Sequence, residues 1–468
     1  MIGTKELDLA IRKLTEKDSL AGVAVCVKGP EGTVFENGYG FRDLEMKIPV
    51  DCDTMFGIAS MSKSITALAV SILAYEGKLS WEDPVYKYFP GFSVPGAARD
   101  AVTLRHLAMH TAGIPPMEPL EWSIAMNSVH RDGEWIREMR RTAPNKMETI
   151  GQIIEYIAKC PYPSLGAPGE YMSYCNEGYA ILSYVADQVA GMPLEAFCKE
   201  RIFEPLGMAR TAMDDDCISA RALSGGNITS LFEMEDGARK GDDDWSILPP
   251  FRGCAMVKST ARDMAAYYRC LSNSGIHEGK QAIPREAAEM LMGSAFPETD
   301  QAVYCLGLYK RVKEGRVICE HSGGLHGVST KGGFLKGEGY GFAVLCNQGD
   351  ADMDGIMLAL YNAVMGLPLD TCHRWFLPAG RDFSDPKMAE GEYLGHEGVP
   401  VRLVIRLAEG KLTGETDKSK YTLRYCGGTR FLGYVNETDD APVSRLEFFI
   451  RTGQAWGVRV GSRILQRV

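Results

Sequence analysis

A serine followed three residues later by a lysine, Ser60-Met-Ser-Lys63, opens an apolar helical stretch of the chain. Residues three apart share one helical face, so this hydroxyl and this amine can meet. A lysine made neutral by burial, or by neighbouring positive charge, can take the serine proton and leave a nucleophilic oxygen. Backbone N–H groups and the positive dipole end at a helix N-terminus suit a developing oxyanion. The spacing alone is a weak signal, because any polar helix start produces it. Ser384-Asp-Pro-Lys387 repeats it in a Pro-containing segment ahead of β-patterned sequence.

Elements must hold such a pair in place. Residues 60–76 read as a helix with Ile65, Leu68, Ala69, Ile72 and Leu73 on its buried side. The chain opens with a short amphipathic helix carrying Leu7, Ala10, Ile11 and Leu14. A strand at Gly22–Lys28, a turn at Gly29–Gly32 and a return strand follow. From about 80 to 220 helical patterns dominate, broken by Pro and Gly, as at Thr149–Lys159 and Glu177–Ala190. Asp triplets at 214–216 and 242–244 read as solvated surface. Beyond residue 300 the pattern turns to strands, at Cys305–Lys310, Arg316–Cys319, Gly332–Leu335 and Gly341–Cys346, with a helix at Met353–Met365. Gly337–Gly341 is a hairpin turn between two of these strands.

The expected class is α+β, of the α/β sandwich type. An antiparallel sheet is flanked by helices, with a helical subdomain, and a small β-barrel-like domain closes the chain. The expected division is 1–370 for the unit that carries Ser60 and Lys63, with its helical subdomain at about 80–220, 371–386 for a linker and 387–468 for the β domain. No repeat period appears.

The 468 residues are 45% hydrophobic and 24% charged, with a net charge of −10. These values exclude disordered and fibrous classes. No basic stripe suggests nucleic acid, and no apolar run approaches the ~20 residues of a membrane span. The charged N-terminus does not read as a secretory signal. The 13 Cys form no CxxC pair and the 8 His no HExxH, which points to reduced thiols in a cytoplasmic protein and to no metal or other cofactor. His130-Arg-Asp132 resembles a kinase loop without its accompanying motifs. Trp122 and Trp135 read as packing residues, with a cleft wall as the other reading.

Three segments in order carry a resemblance: Phe56-Gly-Ile-Ala-Ser-Met-Ser-Lys63, Tyr174-Cys-Asn176 within Pro168–Leu182, and His321-Ser-Gly323 followed by Gly324. Together they resemble the serine β-lactamase-like family, which spans class C β-lactamases, penicillin-binding proteins, esterases and D-aminopeptidases. Flanks at Thr103–Ile114, Phe203–Met208 and Ser259–Asp263 agree, so the resemblance covers about 20–365. Tyr434-Val-Asn436 and Arg451-Thr-Gly453 match single motifs without such surroundings. The C-terminal segment resembles the small, in some members lipocalin-like, barrels that follow this catalytic domain.

The resemblance implies roles. Ser60 is the nucleophile of an acyl-enzyme, Lys63 takes its proton, and Tyr174 acts with Lys63 as general acid and base. Asn176 binds the substrate amide or the Lys63 ammonium. His321, Ser322, Gly323 and Gly324 line the substrate strand, with the N–H groups of Ser60 and Gly324 as the oxyanion hole. Two positions depart from the family pattern, Gly57 in place of Glu and His321 in place of Lys. A lysine there favours substrates with a carboxylate, whereas a histidine is mostly neutral above ~6.5. The expectation is a serine hydrolase acting on a small ester, amide or D-amino-acid-containing peptide. The alternatives are a true β-lactamase or D,D-peptidase, and a catalytically quiet ligand-binding relative. The partner is a small molecule or short peptide, and the oligomeric state is open.

Overall fold

Alternation along Gly22–Gly29 sends Val23, Val25 and Val27 to one side of a sheet and Ala24 and Cys26 to the other. Both faces are therefore covered. The computed structural model describes residues 3–128, 131–214, 217–235, 237–298, 302–371, 378–379, 383–397, 402–417, 419–435 and 442–468. His130, Asp215, Asp216, Val401, Asn436 and most of 371–386 lie outside them.

The sheet has nine antiparallel strands. In spatial order they are Phe296–Pro297, Ala302–Tyr304, Tyr309–Lys313, Arg316–Leu325, Val328–Leu335, Tyr340–Cys346, Gly22–Gly29, Gly32–Asp43 and Ile48–Pro49. The N-terminal hairpin thus joins the late meander edge to edge, Val25 opposite Val344. Helices Thr4–Lys17 and Asp354–Met365 cover the valine face, using Leu7, Ile11, Ile356 and Leu360. The helices Ser62–Tyr75, Asn176–Ala190 and Ala261–Ser272 pack into the larger core on the other face. Ser62–Tyr75 is buried nearly all round, which suits a helix at the centre of a large core.

Two expectations are corrected. Most of the strand expected at Cys305–Lys310 is instead a turn between the strands Ala302–Tyr304 and Tyr309–Lys313, in which the Cys305 N–H donates to the Leu308 carbonyl at 2.7 Å. Gly307 turns there with φ +77, and a Cβ on it would lie 2.9 Å from the Lys63 carbonyl carbon. The Asp triplets are not solvated at every described position: Asp243 is exposed, but one aspartate of each triplet is buried. Asp214 and Asp244 are each 4% exposed. Asp214 accepts the Ala220 N–H at 2.7 Å, and Asp244 accepts from Arg131 Nε at 3.0 Å. Turn capping and ion pairing, not hydration, explain these charges.

The C-terminal segment closes into an eight-stranded antiparallel barrel, from Gly391–Leu394 to Arg463–Arg467. Side chains fill its interior, including Tyr393, Leu403, Ile405, Phe431, Phe448 and Val458. Sequence patterning misses the strands Gly391–Leu394, Lys411–Glu415 and Arg430–Tyr434, which are short and rich in Gly and charge. The barrel is hydrogen-bonded to the rest of the chain through backbone. Tyr174 N–H donates to the Ser462 carbonyl at 2.8 Å, and Ile464 N–H to Ser173 Oγ at 3.1 Å. Arg459 donates to the carbonyls of Met172 and Glu298.

Candidate active site

Ser60 lies in a 3-10 turn, Ala59–Met61, that leads directly into the helix Ser62–Tyr75. Its neighbour Ala59 has φ +45, a left-handed conformation that costs energy in a residue with a Cβ. The surroundings hold this bend. Ile58 N–H donates to the Val257 carbonyl, and Thr330 Oγ1 donates to the Ile58 carbonyl at 3.1 Å. Strand Arg316–Leu325 passes close by, because a Cβ on Gly323 would meet the Ile58 carbonyl oxygen at 2.2 Å. Glycine at this position lets the HSG strand lie against the serine turn.

Lys63 Nζ donates to Ser60 Oγ at 2.9 Å and to the Cys254 carbonyl at 3.1 Å. Lys63 is fully buried and sits over the Tyr174 ring at 4.8 Å. Burial pulls its pKa down to about 8, with Cys254 and Glu397 working in the opposite direction. A sizeable neutral fraction at physiological pH follows. Burial raises the Tyr174 phenol, and Ser60 and Arg463 pull it back. The Tyr174 hydroxyl is buried without a partner in proper hydrogen-bonding geometry.

Tyr174 and Asn176 are joined to the site by the start of the helix Asn176–Ala190. His110 underpins them. Its Nδ1 accepts the Cys175 N–H at 3.1 Å, its carbonyl accepts the Ser173 N–H, and its ring lies 4.2 Å from that of Tyr174. Asn176 Nδ2 donates to Glu397 Oε1 at 2.5 Å, and Arg463 Nη2 donates to the same oxygen at 3.1 Å. Both Glu397 and Arg463 belong to the barrel segment. Glu177 is also buried here, and desolvation and then Glu397 push its carboxyl up to about 8. The Cys175 thiol donates to Glu177 at 3.3 Å and is held well above its ordinary value by burial.

His321 is 3% exposed. Its Nδ1 donates to the Ser322 carbonyl at 2.5 Å and its Nε2 lies 3.1 Å from the Tyr304 hydroxyl, which can donate to the neutral ring. Burial and the nearby Lys63 pull its pKa down to about 3. Gly57 is explained by packing. A Cβ there would lie 3.1 Å from Trp245 and 3.2 Å from Val328, so the indole fills the space a longer side chain would need.

Ser60, Tyr174, Asn176, His321, Ser322, Gly323 and Gly324 line one cleft of about 1270 Å³, with Lys63 buried beneath. Trp135 is 44% exposed and lines its outer wall, whereas Trp122 is buried and bonded to Thr142. The second serine–lysine spacing is far from this arrangement in kind, since Lys387 lies in a 3-10 turn leading into the barrel. Sequence reasoning misses Glu397, Arg463 and His110 as parts of the site. The two barrel residues carry no local signal, because Asn176 and Glu397 are 221 positions apart.

Among the described residues no group of His, Cys, Asp and Glu is arranged to hold a metal ion. No helix among the described residues is long and apolar enough to cross a membrane. Eleven of the described cysteines, all but Cys426, are free thiols, and ten of these eleven are buried.

The geometry has relatives. Penicillin-binding protein 4* of Bacillus subtilis is 24% identical over 335 residues, 70% of this chain and 68% of that protein. The octameric penicillin-binding protein homologue from Pyrococcus abyssi matches 99% of this chain and all of its own with a TM-score of 0.68 at 20% identity. A D-amino acid amidase from Ochrobactrum anthropi matches 75% of this chain and 93% of its own with a TM-score of 0.58 at 19% identity. The sequence profile described as Beta-lactamase matches residues 7–364, everything from the first helix to the helix that ends the catalytic fold, and the chain belongs to that family of serine hydrolases.

Proposed function

We propose that this protein hydrolyses a small ester, amide or D-amino-acid-containing peptide through an acyl-enzyme on Ser60. One observation carries the reading: Lys63 Nζ stands 2.9 Å from Ser60 Oγ, fully buried, with its pKa drawn down to about 8. A binding protein has no use for a desolvated lysine aimed at a hydroxyl. Neutral Lys63 takes the Ser60 proton as Oγ attacks the acyl carbon. The N–H groups of Ser60 and Gly324 receive the oxyanion. Lys63 and Tyr174 then pass the proton to the departing amine or alcohol, and water reverses the sequence to release the acid.

The neutral His321 supports an esterase, amidase or D-aminopeptidase type of activity over β-lactamase or D,D-peptidase activity, because it supplies no sheet-side cation for a substrate carboxylate. The D-amino acid amidase among the structural relatives is consistent with this. The test is labelling with a fluorophosphonate and turnover of p-nitrophenyl esters, amino-acid amides and nitrocefin, with Ser60→Ala as control. Labelling at Ser60, with ester or amide turnover well above nitrocefin turnover, is expected. No labelling and no turnover overturns the enzyme reading, and rapid nitrocefin hydrolysis overturns the preference.

A further inference from the structure

The strand that carries His321–Gly324 ends in a turn that is tied down from outside. Leu325 pairs with Val328, so His326 and Gly327 form a two-residue turn between the strands Arg316–Leu325 and Val328–Leu335. Gly327 takes φ +60, and His326 takes no positive φ. Two-residue turns that match strand twist need a positive φ at the first central position, so this turn by itself would splay the strands. A second hairpin, Leu231–Glu235 with Ala238–Asp242, packs against it so closely that a Cβ on Gly327 would collide with Leu231. The Gly327 N–H donates to Glu233 Oε1 at 2.6 Å. His326 lies between that glutamate and Asp242, with Nδ1 3.3 Å from Glu233 Oε1 and Nε2 2.9 Å from Asp242 Oδ2. Both ring nitrogens can donate only in the imidazolium. Burial pulls the imidazole pKa down, but the hydrogen bonds to Asp242 and Glu233 outweigh burial and raise it overall. Arg131, held by Asp244 at 3.0 Å, bears on the ring from the helical side and opposes that rise. His326, Glu233 and Arg131 all line the cleft.

We propose that His326 is a positioning residue, an imidazolium shared by Glu233 and Asp242 that holds the HSG hairpin, and with it the substrate strand, in its cleft-forming place. This rests on the acyl-enzyme reading above. The unfolded imidazole titrates near 6.5. With a folded value above that, the tie is complete below about 6.5 and is lost as pH rises through the folded value. The neutral ring donates to one carboxylate only, and the other then has no cation. Ser60 and Lys63 are held by different contacts, through Val257 to Ile58 and through Cys254 to Lys63. Loss of the tie therefore weakens substrate binding and raises KM, while Lys63 keeps its own limb in kcat.

The experiment uses the full chain and an uncharged p-nitrophenyl ester, with kcat and KM measured separately from pH 6 to pH 9. The wild-type KM is expected to rise at least threefold across that range. His326→Gln, which carries no charge, is expected to show the high KM at every pH. His326→Arg, a permanent cation with donors for two carboxylates, is expected to keep the low KM at every pH. A wild-type KM that stays flat overturns the proposal, as do Gln and Arg variants that behave alike, which is what a packing role gives. Proton NMR titration of the His326 ring, assigned by its absence in His326→Gln, judges the tie without turnover. A midpoint above 6.5 that falls in Glu233→Gln is expected, and a midpoint at or below 6.5 overturns the proposal even where a variant fails to fold. Fluorophosphonate labelling of Ser60 in the same samples separates the two failures. Labelled, active protein with a flat KM sinks the role of His326 alone, whereas unlabelled, inactive protein sinks the acyl-enzyme and leaves the NMR midpoint to judge the tie.

Discussion

Asn176 Nδ2 donates to Glu397 Oε1 at 2.5 Å, joining the Tyr-x-Asn segment to the barrel at the floor of the cleft. Glu397 is 3% exposed and is partnered by the Arg463 guanidinium as well. Glu397→Ala leaves one amide and one cation without their acceptor. A loss of about 1–3 kcal/mol in stability is expected in urea melts. A fall in kcat/KM of about tenfold or more is also expected, because Asn176 loses its fixed orientation. Glu397→Gln, which retains an acceptor, is expected to lose less of both.

Lys63 is expected to set the acid limb of the pH profile. In the proposed mechanism its neutral form is the base, and its pKa is lowered to about 8 by burial. Turnover should therefore rise with pH through about 8 and level off above it. Lys63→Met should lose activity by about 10³-fold, on the scale of a lost general base. The sign for stability is the reverse. The unfolded lysine keeps its proton to about 10.4, so the folded state is penalised wherever it must bind that proton. Lys63→Met should be more stable than the native chain at pH 7, by about 1–3 kcal/mol, with the gain shrinking as pH rises towards 10. Thermal melts across pH would show it.

His321 is neutral in the fold, its pKa lowered to about 3 by burial and by Lys63. The unfolded ring binds a proton near 6.5. Between these values the unfolded state holds more protons, so stability is present above 6.5 and is lost as pH falls. Between pH 7 and pH 5 this group alone should remove about 2 kcal/mol. His321→Gln should flatten that part of the urea-melt profile. His110, also lowered well below its ordinary value by burial, leaves a residual slope.

Gly57 and Trp245 are complementary. A Cβ at residue 57 would lie 3.1 Å from the indole and 3.2 Å from Val328. Gly57→Glu should destabilise the chain by about 1–3 kcal/mol through overpacking. Adding Trp245→Ala should recover part of that loss, so the two changes should be non-additive in a double-mutant cycle.

The helices and strands that frame the site are legible in local patterning. The apolar run of Gly22–Lys28 and the apolar helical stretch of 60–76 need no distant partner to declare themselves, because burial all round demands apolar residues in local succession. The strand expected at Cys305–Lys310 fails for a tertiary reason. Gly307 must turn where the chain approaches the Lys63 backbone, and apolar content alone cannot register that approach. The aspartates 214 and 244 fail likewise, since a charge run reads as hydrated until its partners, Ala220 N–H and Arg131, are brought to it.

The sequence by itself determined the chemical pairing of Ser60 with Lys63, because three residues on one helical turn settle which side chains meet. Tertiary structure alone decided what makes that pair reactive. Burial of Lys63 comes from the core around it, and the bend at Ala59 comes from Val257 and Thr330. It alone also decided the charge of the cleft. His321 is neutral because packing takes its ring out of water and places it near Lys63. Arg463 reaches the cleft because a barrel closed by its first and last strands brings the start of the last one to it. Contacts between residues hundreds of positions apart are set by packing of finished elements, and no local spacing encodes them.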